Sequence, residues 1–155
     1  MWQGENKFVW YRVVGQIVAV QVGFWLVLGA AAALLDVVLG VSPLQAPLQM
    51  FDWRVFRLDS VRGYVSVLAF VVAAALACAV LLLVVGRAKK CLDFCSTMYG
   101  YHAVAVVAVS RGLPRSFLWW VLLVLGVVLS TVCSELVCLR RELREIPVSG
   151  SSMIV

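Results

Sequence analysis

Among the polar side chains in or at the ends of otherwise apolar stretches, Gln16, Gln21, Asp93, His102 and Glu135 are the ones most able to do chemistry. Polar groups are expensive inside a membrane, so each needs a reason to be there. One histidine and two carboxylates are the raw material of a proton relay, with Gln21 and His102 its deepest members. They are equally the material of structural bonds: His102 to Gln21, Glu135 to Lys89 or Lys90, and Asp93 capping the free N–H groups at the start of a helix. A third use is a polar pocket of Gln16, Asp93 and Glu135, open to a partner at the membrane surface. Catalysis is the use these residues support least. Intramembrane hydrolysis needs a nucleophile with a base, or two carboxylates within reach of one another. Asp93 and Glu135 fall at the rims of their stretches, and no Gly-Ser or His-Glu metal motif occurs within the apolar stretches. The expectation is a protein that is not an enzyme and uses no cofactor.

Cys91 and Cys95 are four residues apart and share a helical face, but two thiols with no second pair nearby are a weak zinc signal, and no metal site is expected. All five cysteines read first as small packing residues. Cys91 and Cys138 are juxtamembrane and are the two candidates for palmitoylation.

The elements that must position these groups are four apolar runs, 13–35, 64–85, 94–109 and 117–139. A bilayer core of about 30 Å takes roughly 20 residues at 1.5 Å each, so three runs span with ease and the third is short. With 64% hydrophobic residues and a mean hydropathy of +1.03, the 155-residue chain suits an all-α membrane fold, a four-helix bundle over residues 1–147 with a disordered tail at 148–155. The net charge of +5 does not point to nucleic acid, because the basic residues are scattered through short loops. They bear on orientation instead. Eight of the thirteen Lys and Arg residues fall on the side of the termini and the central loop, which places both termini in the cytosol. The first run is expected to act as its own insertion signal rather than as a cleavable leader.

Small residues recur every four positions in three runs: Gly15, Ala19 and Gly23; Ala69, Ala73 and Ala77; Gly126, Ser130 and Ser134. Such ridges let helix backbones approach closely, within one chain or across a homodimer. In the long loop Asp36–Gly63, Leu48, Phe51, Val55 and Leu58 would share one face of an interfacial helix; the alternative is a loop packed across the bundle mouth. Gly112 and Pro114 mark a tight reversal before Trp119-Trp120, read as interfacial belt residues. The last helix should run past the membrane until Ile146-Pro147 stops it.

Several fragments together resemble one family. Gln16-Ile17-Val18 with Gln21, Gln49-Met50-Phe51-Asp52, Cys91-Leu92-Asp93-Phe94, His102, Pro114, Trp119-Trp120, Glu135 and the run Cys138-Leu139-Arg140-Arg141-Glu142-Leu143-Arg144-Glu145-Ile146-Pro147 occur in the order found in the Sys-one family of small four-span Golgi membrane proteins. The resemblance covers roughly residues 9 to 147. It departs at Ala103–Val109, more aliphatic than the aromatic stretch of the family, and at Cys95 and the extreme termini. It implies a receptor that brings an Arf-related small GTPase, recognised in part by its acetylated N-terminus, to the trans-Golgi, where golgin tethering and transport follow. On that reading Gln16, Asp93, Phe94 and Glu135 would form the binding mouth. Arg87, Lys89, Lys90, Arg140 and Arg144 would meet acidic lipids or the GTPase. The competing class is a small transporter or channel subunit using His102 and Gln21.

Overall fold

The computed structural model describes residues 3–42, 46–85 and 90–144. Among them are five α-helices, α1 (Gln3–Val38), α2 (Ala46–Phe51), α3 (Val61–Val84), α4 (Cys91–Ser110) and α5 (Phe117–Arg144), one 3-10 turn at Trp53–Val55, and no strand. Arg87, Lys89, the Arg144 side chain, the Ile146-Pro147 stop and the expected tail at 148–155 lie outside the described residues. Four helices are long and apolar enough to cross a membrane: Trp10–Val38, Val61–Val84, Cys91–Ser110 and Phe117–Arg141. In lipid every backbone N–H must be bonded within the chain, so apolar runs of this length become helices. The short third run gains Cys91, Leu92 and Asp93, and its 20 residues reach about 30 Å, the thickness of the hydrocarbon core.

The helix ends are written locally. α1 stops at Gly40, whose φ of 67° is left-handed, and the Val41 N–H turns back to the Asp36 carbonyl at 2.7 Å. α3 starts at Ser60, whose hydroxyl accepts from the Gly63 N–H at 3.2 Å. Gly63 is obligatory, because a Cβ there would overlap the Arg57 carbonyl. α4 ends on Arg111, itself left-handed at φ 51°. The reversal is tied by Trp120, whose Nε1 donates to the Pro114 carbonyl at 3.0 Å. Trp119, expected in the interfacial belt, is instead fully buried in the bundle, while Trp120 stays exposed.

The spans form a ring in the order α1, α3, α5, α4, so the chain crosses the ring diagonal between α3 and α4. Two of the three small-residue ridges face inward. Ala69, Ala73 and Ala77 are buried on α3, and Gly126, Ser130 and Ser134 on α5. Ser130 stands where three helices meet: its hydroxyl donates to the Ala74 carbonyl at 2.8 Å and accepts from the Tyr99 hydroxyl at 2.9 Å. The first-span ridge is different. Gly15 and Ala19 face outward, and only Gly23 makes a close approach, to Val80. α1 turns larger residues inward, Val20, Phe24 and Leu28, because it packs against a neighbour already lined with alanine. Its Val14, Val18, Val22 and Leu26 point outward at four-residue spacing, as lipid-facing residues do.

The loop does not form one surface-lying helix. Asp52 interrupts it, accepting from the Arg54 N–H at 3.0 Å, and splits α2 from the 3-10 turn. Leu48 and Leu58 are exposed, while Gln49 and Phe56 are buried, so the loop packs into the bundle mouth. Gly126 gives a direct test of the ring. A Cβ there would lie 2.8 Å from the Tyr99 ring, whereas one at Gly15 meets nothing within 4 Å. Gly126→Leu should destabilise by about 1–3 kcal/mol or more and lower the melting temperature in detergent, with Gly15→Leu unchanged. Equal melting of the two variants would refute this packing.

Candidate functional site

The seam between α1 and α4 is filled differently towards its two ends. On the side of the long loop, α2 is wedged into it. The Phe51 ring lies 5.5 Å from Trp25 of α1 and 6.0 Å from His102 of α4. Gln49 follows it inward and donates through Nε2 to both carboxylate oxygens of Asp36 at 3.1 Å. Asp36 is wholly buried, and this amide supplies hydrogen bonds that its carboxyl could not find in the surrounding apolar side chains.

Midway along the seam, Gln21 bridges the two helices. With its amide oriented to satisfy both neighbours, it donates to the Met98 carbonyl at 3.1 Å and accepts from Trp25 Nε1 at 2.9 Å. On the opposite side, towards the chain termini, no loop among the described residues fills the seam. There Ile17 and Val20 of α1 face Phe94, Thr97 and Met98 of α4 across a shallow, largely apolar groove. The Thr97 hydroxyl donates to the Asp93 carbonyl at 2.8 Å, which ties the groove wall to the first turn of α4.

The residues expected to form one polar mouth are distributed over three places. Phe94 lines the groove, with Asp93 exposed beside it. Asp93 is the third residue of α4, in the first turn where a carboxylate meets the positive end of the helix dipole, but Lys90 holds the cap position and no side chain caps it. Gln16 is turned toward α3, where its Nε2 donates to the Val84 carbonyl at 3.1 Å. Glu135 is exposed on α5 and forms no ion pair with Lys90; Lys89 lies outside the described residues. Lys90, Arg140 and Arg141 are exposed at the same end of the bundle.

His102 does not bond to Gln21. Its ring is buried among Phe24 at 5.6 Å, Phe70 at 5.8 Å and Phe51 at 6.0 Å, and neither ring nitrogen has a hydrogen-bond partner. The physical reason is competition: Met98 and Trp25 already satisfy the Gln21 amide, while His102 projects into the aromatic centre of the ring. Cys91 and Cys138 bring their sulfurs to 3.8 Å, both fully buried. Cys95 faces Thr131 and Ser134 across the α4–α5 seam.

Three features escaped the sequence reading: the Asp36–Gln49 bond, the Tyr99–Ser130–Ala74 junction and the groove. A lone carboxylate ending the first apolar run was the signal for Asp36. Ser130 was visible only as a small residue. The groove had no signal, since its lining is ordinary apolar sequence.

Fold and site define a class: a four-span membrane protein whose buried polar groups mostly join helices, with a shallow apolar groove in one seam. Residues 5–148 match the SYS1 family, described as integral membrane protein S linking to the trans Golgi network. The chain belongs to that family and is an integral, multi-pass protein of the Golgi membrane. It is 31% identical over 151 residues to Protein SYS1 homolog of Nematostella vectensis, covering 96% of this chain and 94% of that protein. It is 32% identical over 135 residues to Protein SYS1 homolog of Dictyostelium discoideum, covering 87% of this chain and 57% of that protein, so it spans little more than half that relative's length. No solved structure matches the chain.

The surroundings of His102 set an expectation of their own. A buried imidazole without a partner costs about 1–3 kcal/mol, so His102→Leu should keep or raise the melting temperature. Gln21→Leu, which strands the Trp25 N–H, should lower stability by a similar amount. A His102→Leu protein that melts well below the parent would mean the imidazole is bonded after all.

Proposed function

We propose that this protein is the Golgi receptor for an N-terminally acetylated, Arf-related small GTPase, recruiting it to the trans-Golgi in support of golgin tethering and transport. Both termini face the cytosol in this reading, with residues 1–147 acting as one membrane domain. Membership of the SYS1 family supports the compartment, and the shallow apolar groove in the α1–α4 seam is the observation that carries the mechanism. A peptide end that has lost its amino charge by acetylation can enter a groove walled by Ile17, Val20, Phe94 and Met98, where a free ammonium would pay heavily for desolvation. Asp93 at the rim and the Thr97 hydroxyl supply polar groups for the peptide amides.

Around this mouth, Lys90 and Arg140 stand toward the membrane surface, where basic side chains meet acidic lipid headgroups or an acidic face of the GTPase. Arg87, Lys89 and Arg144 join them by sequence. Gln16 acts from behind, holding α1 against α3, and Glu135 marks the far edge on α5. The transporter alternative would require a water-filled path past His102, which has phenyl rings around it, and Gln21, whose amide bonds two neighbours.

Depletion of the protein should release one acetylated Arf-related GTPase from the Golgi, read by imaging the Arf-like GTPases in turn. If none moves, the receptor reading fails. Thr97→Trp fills the groove from its half-exposed wall and should prevent rescue while the variant itself still reaches the Golgi. Asp93→Ala with Glu135→Ala should weaken rescue by at least several-fold. Rescue by Thr97→Trp after a positive depletion result would leave the receptor role standing and move the binding seat elsewhere.

A further inference from the structure

The sulfurs of Cys91 and Cys138 lie 3.8 Å apart although 47 positions separate the residues in the chain. Cys91 is the first residue of α4, and Cys138 lies six residues before the end of α5. The pair therefore sits where the α4–α5 hairpin is open, at the end opposite its connecting turn. Both thiols are reduced and fully buried. We infer that Cys91 and Cys138 form a dithiol–disulfide modification site that covalently staples the start of α4 to α5.

The geometry favours this pair over the others. A disulfide needs sulfurs at about 2.05 Å, so the two must close by a little under 2 Å. Helix ends fray at low free-energy cost, and such an opening at the start of α4 lets Cys91 meet a reagent from the aqueous side. Cys78 and Cys133 are also neighbours, but they lie deeper in α3 and α5, where a polar oxidant does not enter.

The oxidant is a low-molecular-weight disulfide of the glutathione type. The Cys91 thiolate attacks one of its sulfurs, which forms a mixed disulfide and releases one thiol. The Cys138 sulfur then attacks the Cys91 sulfur, forming the intramolecular bond and releasing the second thiol. The two protein thiols lose two electrons and two protons, and the oxidant takes both as two free thiols. Closing the bond fixes the first turn of α4, which carries Asp93 and the groove residue Phe94. Oxidation would thus set how freely that end of the groove can move.

The test uses the full-length protein in isolated membranes. After incubation with glutathione disulfide, the protein is denatured and its free thiols are counted by gel shift with a maleimide polymer. Three of the five cysteines should remain reactive, and a reductant should restore all five. Cys91→Ala and Cys138→Ala should each leave all four remaining thiols reactive, whereas Cys95→Ala should still show the loss of two. Five reactive thiols in the oxidised parent would overturn the proposal. So would a loss of two that persists in Cys91→Ala, which would place the bond in another pair. Each variant's Golgi localisation and melting temperature check that it is folded before the count is read.

Discussion

Close approach of backbones between α3, α4 and α5 is the constraint on which the rest of this bundle depends. Lipid is as apolar as leucine, so burying apolar surface gives helices no reason to associate. What holds them is contact at short range and hydrogen bonds that water cannot compete for. Ala69, Ala73 and Ala77 give α3 a flat inner face, and Gly126 lets the Tyr99 ring lie against α5. Only at that separation can Ser130 reach the Ala74 carbonyl while receiving the Tyr99 hydroxyl. A larger residue at any of these positions would open the ring and break the junction together.

Once α3 and α5 are set, α1 and α4 are left to meet across the remaining seam, and they do so with bulkier residues. Phe24 packs edge-on to Phe70 and Tyr99, with His102 beside them, and this cluster keeps the two outer helices apart. The gap is closed from one side by Phe51 and Gln49 of the loop and bridged midway by Gln21. From the other side nothing in the described chain enters it. The groove is therefore a consequence of packing rather than of a dedicated motif: one ring of four helices, one loop long enough to fill half a seam.

The polar residues divide along the same line. Gln16, Gln21, Gln49, Asp36, Tyr99 and Ser130 each join two elements, and their cost inside lipid is offset by the bonds they make. Asp93, Glu135 and Lys90 remain exposed at one end, free to meet something outside the chain. His102 belongs to neither group. It is a polar ring used as an aromatic one, held by its neighbours' faces rather than by hydrogen bonds.

Composition and periodicity were sufficient for the four spans, since a long apolar run in lipid has helix as its only outcome. The helix ends at Gly40 and Ser60 and the inward ridges of α3 and α5 follow from local chemistry that can be read residue by residue. Local sequence could not say which small-residue ridge would be used. Gly15 and Ala19 carry the same spacing as Ala69 and Ala73 yet face lipid, because α3 had already supplied the flat surface that α1 packs on. Nor could it pair Gln21 with Met98 and Trp25 rather than with His102, or Cys91 with Cys138. Those choices depend on the order of helices around the ring, and that order arises from how four surfaces fit together, a property that no single stretch of sequence contains.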